Sequence, residues 1–122
     1  MVIVVDTSVL IDFLRQPQKQ GCLFLQLAKK YDLAVSFITI AELYSGKSSQ
    51  NQEGIKILET LLSGVAVHFP DGELLKEAGT LRCAYNLSLA DAFIAALALR
   101  LKIPLSTLNT KDFLKIKDLT LL

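Results

Sequence analysis

The hydrophobic residues of the chain fall into short unbroken runs that are separated by longer amphipathic stretches. The first run, Val2–Val5, consists only of β-branched residues, which is typical of a strand buried on both faces of a parallel sheet. Similar runs recur along the chain, and the last of them is short and terminal. The predicted strands are Val2–Val5, Leu33–Phe37, Val65–Phe69, Pro104–Thr107 and Leu119–Leu122.

Helical spacing fills the intervals between these strands. Behind the first strand, Val9, Leu10, Phe13 and Leu14 recur three and four residues apart, and Pro17 ends that helix. Further helices are predicted from about Gln20 to Lys30, from Thr39 through Tyr44, and over Ile55–Leu62, Leu74–Tyr85 and Leu89–Leu101. Strands that alternate with helices predict an α/β fold, with three α/β/α layers and a central parallel sheet of four or five strands.

Composition narrows the class of protein. The 122 residues are 52% hydrophobic, which predicts a single domain over residues 1–122 with a full apolar core. A formal net charge of +1 provides no overall attraction for nucleic acid, so an RNA partner would need a local basic patch.

Cys22 and Cys83 have no metal-ligand spacing, which favours free thiols in the cytoplasm. The first apolar run ends at Asp6, so neither a signal peptide nor a membrane association is predicted.

Four acidic residues stand near predicted helix starts. Asp6 follows the first strand, at the sheet edge where open α/β sheets bind ligands, although an acid there can equally start the next helix. Three other acids come three residues after a residue of the N-cap type: Glu42 after Thr39, Asp91 after Ser88, and Asp112 after Asn109. Each pair taken alone is explained by a capping box, in which the acid stabilises only its own helix.

The predicted fold favours a shared site over separate caps. Asp6, Glu42 and Asp112 each follow a predicted strand within a few residues, so they should emerge at the same edge of the sheet. Asp91 does not directly follow a strand, but it falls on the apolar face of its helix, which turns the carboxylate inward. An inward carboxylate needs a partner, and no Arg or Lys adjoins Asp6, Glu42 or Asp91 in the sequence.

A hard divalent cation would balance such a group of acids. Oxygen ligands without His or Cys indicate Mg²⁺ or Mn²⁺ rather than Zn²⁺. Carboxylates around such an ion support hydrolysis of phosphodiesters by an activated water, without a covalent nucleophile. The single histidine, His68, lies in an apolar run and is predicted to be a core or strand-end residue rather than a catalytic base.

Basic residues are concentrated in the last quarter of the chain. Two explanations are open: a track for RNA phosphates or a solvated face, and the net charge gives no support to the first. The residues are Arg100, Lys102, Lys111, Lys115 and Lys117.

Four segments of the chain carry a recognisable set of motifs in order. They are Asp6–Asp12, Ala41–Leu43, Ala90–Ala96 and Thr107–Phe113. Together they resemble the PIN domain, and in particular the VapC-type ribonuclease toxins of bacterial and archaeal toxin–antitoxin pairs. The resemblance covers the whole chain. It implies an α/β/α fold, Mg²⁺- or Mn²⁺-dependent endoribonuclease activity, a homodimer, and inhibition by a small cognate antitoxin, for which we expect a groove near the helices between Tyr44 and Leu62.

The resemblance also implies roles for individual residues. Asp6, Glu42 and Asp91 match the first three acids of the family's metal site. At the fourth position, where many members have an acid, this chain has Asn109, so either the carbonyl of Asn109 or the nearby Asp112 would complete the set. The residues that match small hydroxyl positions lining the family's pocket are Thr7, Ser8 and Thr107.

Two other hypotheses stay open on the sequence. The residue at Asn109 is compatible with a PIN-like module that binds RNA or protein with weak or no nuclease activity. A structural interpretation, in which every acid is a helix cap, predicts that each acid-to-Ala change costs about 1 kcal/mol of stability and that added metal leaves the melting temperature unchanged. The nuclease hypothesis requires instead that the acids meet around one hollow.

Overall fold

A computed structural model describes all 122 residues and contains four strands and seven α-helices. The strands are β1 (Val2–Val5), β2 (Asp32–Ser36), β3 (Ala66–His68) and β4 (Leu105–Ser106). The helices are α1 (Thr7–Arg15), α2 (Leu23–Lys30), α3 (Phe37–Tyr44), α4 (Gln52–Ser63), α5 (Gly72–Tyr85), α6 (Leu89–Leu101) and α7 (Thr110–Phe113), with a 3₁₀ turn at Lys47–Gln50.

All four strands are parallel and lie in the order β3-β2-β1-β4. Val4 pairs with Ala34 of β2 on one side and with Leu105 of β4 on the other. The predicted parallel sheet is confirmed. The predicted fifth strand is present only as one parallel bridge between Leu105 and Leu121. Its neighbour β4 is only two residues long and offers no further pairing positions.

Helices cover both faces of the sheet and confirm the three-layer arrangement. Because side chains alternate along a strand, Ile3 and Val5 of β1 point to one face and Val4 to the other. Ile3 and Val5 join a buried cluster with α1, α2 and α4. Val4 joins a second cluster with α5, α6 and α7. The carboxyl end of β1 therefore lies centrally, between two helical layers.

Helix α6 is the most deeply embedded helix. Its residues from Ala92 to Ala98 are all buried, and the four alanines among these seven positions let α5 and the sheet approach closely. This explains why the helix is apolar on nearly every side. No single helix has the length and hydropathy needed to cross a membrane; α5 and α6 reach that measure only as a pair, with a bend of 117° between them.

Helix starts account for most differences between the predicted and observed elements. Ser36, rather than Thr39, is the N-cap of α3: its side chain accepts a hydrogen bond from the backbone N–H of Ile38 at 3.3 Å. Phe37 therefore belongs to the helix and not to β2. The predicted capping box of Thr39 and Glu42 is wrong, because both residues lie inside the helix. Helix α4 begins at Gln52, ahead of the predicted Ile55, because Asn51 caps it.

Candidate active site

Asp6 stands at the carboxyl end of β1 and is only 3% exposed. It occupies the N-cap position of α1 but makes no side-chain capping bond. Instead, its Oδ2 accepts hydrogen bonds from the hydroxyls of Ser8 at 2.6 Å and Thr107 at 2.7 Å. Two of the three predicted pocket residues, Ser8 and Thr107, thus bind Asp6, and Thr107 connects it to the segment that follows β4.

The two hydroxyls are themselves oriented by the backbone. Ser8 Oγ accepts a hydrogen bond from the N–H of Leu108, and Thr107 Oγ1 accepts one from the N–H of Asn109. Each hydroxyl has one proton, and that proton goes to Asp6. The other carboxylate oxygen, Oδ1, takes part in none of these bonds, and no unpartnered side-chain oxygen is buried in the protein. Oδ1 is therefore the accessible oxygen of Asp6.

Glu42 is positioned by a second hydroxyl network, between α1 and α3. Thr7 Oγ1 donates to Glu42 Oε1 at 2.7 Å and lies 2.9 Å from Thr39 Oγ1. Since the Thr7 proton is used on Glu42, Thr39 is the donor in the second bond. Thr39 is fully buried, so the network is held from inside the protein.

We expect Thr7→Val to lower the free energy of unfolding by about 1–3 kcal/mol, because it leaves the hydroxyl of Thr39 and a carboxylate oxygen of Glu42 without their partner. Chemical denaturation measures the loss. Thr60→Val is the matched control: Thr60 is exposed on α4 and its hydroxyl only bonds back to Lys56 O, so a change within about 0.5 kcal/mol is expected. Equal effects of the two substitutions would show that the network does not hold Glu42.

Asp91 lies in the first turn of α6, half-buried, and its own backbone N–H is capped by Ser88 Oγ at 3.1 Å. Burial and the negative charge of Asp6 raise the pKa of Asp91 to about 6; the Ser88 hydroxyl opposes the shift, while Asp112 and Glu42 add to it. Asp6, Asp112 and Glu42 thus lie near enough to Asp91 for their charges to act on its carboxylate. The purely structural interpretation has each acid serving only its own helix, whereas Asp6 accepts a hydrogen bond from Thr107 of the segment after β4 and Glu42 accepts one from Thr7 of α1.

The pKa of Asp91 predicts an unusual pH dependence of stability. In the unfolded chain Asp91 ionises near pH 4, whereas in the folded protein it ionises near pH 6. Between these values the folded state holds the extra proton, so stability falls as pH rises and the penalty is complete above pH 6. We expect Asp91→Asn to raise the melting temperature of the metal-free protein at pH 8, and this gain to disappear below about pH 4. A constant difference across this range would contradict the raised pKa.

Two exposed residues of the α7 segment are the candidates for the fourth position of the set. Asn109 occupies the N-cap position of α7, but its side chain makes no capping bond. The carbonyl oxygen of its side chain is therefore available to bind an ion. Asp112 lies one turn further on, near enough for its charge to raise the pKa of Asp91. Asn109 and Asp112 thus stay alternatives at this position.

The basic residues near the end of the chain do not form one track beside the acids. Arg100 makes both ion pairs of the protein, with Asp71 at 2.8 Å and Glu77 at 3.3 Å. It lies about 14 Å along α6 from Asp91, at 1.5 Å of rise per residue. Lys102 and Lys117 line a separate cavity beyond that end of α6. Of the five residues, only Lys111 belongs to the segment that carries Asn109 and Asp112.

The donor set fits a hard cation that keeps part of its hydration shell. The candidate ligands are oxygen atoms throughout, and neither ion pair of the protein involves the four acids. No three His, Cys, Asp or Glu side chains are grouped closely enough to coordinate one ion as they stand. Mg²⁺ binds in proteins through one or two carboxylates and several waters, so a complete carboxylate cage is not required.

Comparison with known proteins gives the family. The family model described as "PIN domain" matches residues 3–119. This chain belongs to the PIN domain family. It is also similar to Ribonuclease VapC1 of Haemophilus influenzae strain R2866, with 35% identity over 127 aligned positions that cover 98% of this chain and 95% of the relative. The resemblance seen in the four sequence segments is thereby confirmed.

Solved structures of similar proteins agree with the PIN domain assignment. The structure of VapBC-1 from nontypeable Haemophilus influenzae aligns with a TM-score of 0.80 and 27% identity, covering 100% of this chain and 97% of that one. A toxin–antitoxin complex from Klebsiella pneumoniae aligns with a TM-score of 0.78 and 28% identity, covering 97% of this chain and 95% of that one.

One residue of the site escaped the sequence analysis. The sequence pattern predicts Thr39 to be a helix cap, whereas in the structure it supports Glu42 through Thr7. The spacing of Thr39 and Glu42 already indicated this role, because residues three apart share a helix face. The two side chains point the same way whether or not the helix begins at Thr39. Only the start of α3 at Phe37 separates the two interpretations.

Proposed function

We propose that this PIN domain is a metal-dependent endoribonuclease and the toxin of a type II toxin–antitoxin pair. The observation that carries the proposal is the hydroxyl network at the carboxyl edge of the sheet, in which Ser8 and Thr107 hold the carboxylate of Asp6 and Thr7 holds that of Glu42. In a relative of VapC ribonucleases, such a group of acids has a direct chemical purpose, because it can hold the ion that phosphodiester hydrolysis requires.

Asp6, Glu42 and Asp91 are the proposed ligands, directly or through water, with Asn109 or Asp112 as the fourth. Mg²⁺ or Mn²⁺ is the proposed ion because the set offers only oxygen. When bound, the ion supplies a reactive water at neutral pH and neutralises charge on the phosphate. The fourth ligand can be assigned by metal titration of two variants. Asp112→Asn weakens metal binding if Asp112 is the ligand, whereas Asn109→Asp strengthens metal binding if Asn109 is the ligand.

The hydroxyl residues of this chain set the geometry of the acids. Ser8 and Thr107 together fix Oδ2 of Asp6, which leaves Oδ1 free to bind an ion. Thr7 fixes one oxygen of Glu42 and leaves the other free. Such outer hydrogen bonds orient ligands and affect metal affinity by about 10–100-fold in other metal sites. The three residues thus act as positioning residues rather than as nucleophiles.

A cognate antitoxin is the proposed protein partner, as the paired names of the VapBC-1 and toxin–antitoxin structures suggest. A cavity of about 540 Å³ with a largely apolar lining lies among α1, α2 and α4. Phe13, Phe24, Ile57 and Leu61 contribute to its wall, and α4 falls within the region expected for the groove. We propose that an apolar segment of the antitoxin packs there.

Two further expectations belong to this proposal. A homodimer is expected, and sedimentation of the purified protein measures it directly. A cytoplasmic location is compatible with the two cysteines, which are both free, since disulfides are rare in reducing compartments.

The proposal is tested by incubating the purified chain with single-stranded RNA in Mn²⁺, in Mg²⁺ and in EDTA. We expect internal cleavage with either metal and none in EDTA. Binding of RNA without cleavage at millimolar metal would favour the alternative, a PIN-like RNA- or protein-binding module. The amide at Asn109, in place of an acid, is the feature that keeps this alternative open.

A further inference from the structure

A second cavity lies beside Glu42, along α1. Its volume is about 430 Å³, and α1, α3 and the 3₁₀ turn supply its walls. Glu42 is part of the lining, so the cavity and the proposed metal site share a side chain. A strand of RNA whose scissile phosphate lies at the acids could therefore continue into this cavity.

Two cationic side chains in the lining distinguish this cavity from the acidic site that Glu42 shares with Asp6 and Asp91. Arg15 and Lys47 are both exposed, and neither takes part in the ion pairs of the protein, which involve only Arg100. The remaining polar lining consists of Ser45, Ser48 and Gln50. Two positive charges against the single negative charge of Glu42 make the cavity attractive to an anion.

The spacing along α1 suits a nucleic-acid strand. Thr7 opens α1 and Arg15 ends it, so the two Cα atoms are about 12 Å apart at 1.5 Å of rise per residue. At about 3.4 Å per nucleotide along a helical strand, this distance corresponds to a few nucleotides. A guanidinium can bind two phosphate oxygens at once, and a lysine adds a point charge.

We propose that this cavity is a phosphate-binding subsite for the RNA chain that flanks the scissile bond, with Arg15 and Lys47 as its ligands. The inference rests on the proposed function, since it assumes that the acids are where the RNA is cut. It assigns these two residues to substrate affinity and not to the chemical step. Arg15 and Lys47 therefore add no affinity for an oligonucleotide that is too short to reach the cavity.

The test compares the double variant Arg15→Gln/Lys47→Gln with the wild type on a long single-stranded RNA and on a dinucleotide. On the long RNA we expect KM to rise roughly tenfold, as expected for two lost phosphate contacts at low salt, with kcat within about twofold. On the dinucleotide we expect no difference. The control is Lys29→Gln/Lys30→Gln, which removes the same charge at the end of α2, beside the amino ends of the strands.

Salt dependence provides an independent measurement that needs no turnover. Fluorescence anisotropy of labelled RNA, measured in EDTA, should show the slope of log K against log salt reduced by about 1.4 in the Arg15/Lys47 variant, at about 0.7 per phosphate contact for a single strand. Unchanged KM and slope would overturn the subsite, leaving a protein segment as the occupant to examine. Equal loss of kcat on both substrates would also overturn it, because that indicates a structural role. A wild type that cleaves no RNA in metal refutes the proposed function separately.

Discussion

Replacing Asp6 by Asn is expected to lower the rate of RNA cleavage by on the order of a thousandfold, equivalent to about 4 kcal/mol of transition-state stabilisation. Asp6 is the central acid: it is buried, fixed by two hydroxyls, and the strongest of the neighbouring charges acting on Asp91. Asn keeps the size and the acceptor oxygen but removes the charge. Asp91→Asn is expected to have a comparable effect for the same reason.

The control for these variants is Asp12→Asn. Asp12 lies on the same helix as the residues that support the site, half-buried, but its carboxylate accepts only from Gln16 at 3.1 Å, and nothing couples it to the four acids. We expect it to keep full activity. Undiminished cleavage by both Asp6→Asn and Asp91→Asn would rule out the proposed mechanism, because then neither charge contributes to the reaction.

Replacing Gly54 by Ala is expected to destabilise the fold by about 3 kcal/mol, at the upper end of the usual cost of overpacking. A Cβ on Gly54 would overlap the carbonyl oxygen of Ser48 and lie 2.7 Å from its carbonyl carbon. These are backbone atoms of the 3₁₀ turn, so no side-chain rotation relieves the clash. For a domain of this size the melting temperature should fall by roughly 10 °C.

Gly79→Ala is the matched control for Gly54→Ala. Gly79 is exposed in the interior of α5, and a Cβ there would meet nothing within 4 Å. Alanine should stabilise that helix by about 0.5–1 kcal/mol. The two substitutions add the same methyl group and should move the melting temperature in opposite directions. A mild effect at Gly54 would show that the 3₁₀ turn can move away from α4 at little cost.

The sequence predicts the fold well because buried parallel strands have a simple signature. Val2–Val5 is apolar at every position because both faces of β1 are covered. This pattern predicts the strand wherever the neighbouring helices begin or end. The terminal strand is a different case: Leu121 pairs only with Leu105, and an apolar tetrapeptide does not reveal how many partners it has.

The site was predictable in its parts and not in its connections. The rule that strand ends meet at one edge predicts that Asp6, Glu42 and Asp112 lie at the same edge, although they are far apart in the chain. The hydrogen bonds that orient them were not predictable, because Thr107 reaches Asp6 across a separation of 101 residues. Arg15 and Lys47 gave no signal either: neither stands in a basic run, and only the approach of α1 to the 3₁₀ turn places them in one cavity.

The central claim is that separate carboxylates share one divalent cation, and calorimetric titration of the metal-free protein with Mn²⁺ tests it most directly. We expect saturable binding at millimolar or lower Mn²⁺ for the wild type and for Asp12→Asn, and its loss in Asp6→Asn. Absence of binding by the wild type at millimolar Mn²⁺, or binding that Asp6→Asn leaves unchanged, would contradict the claim.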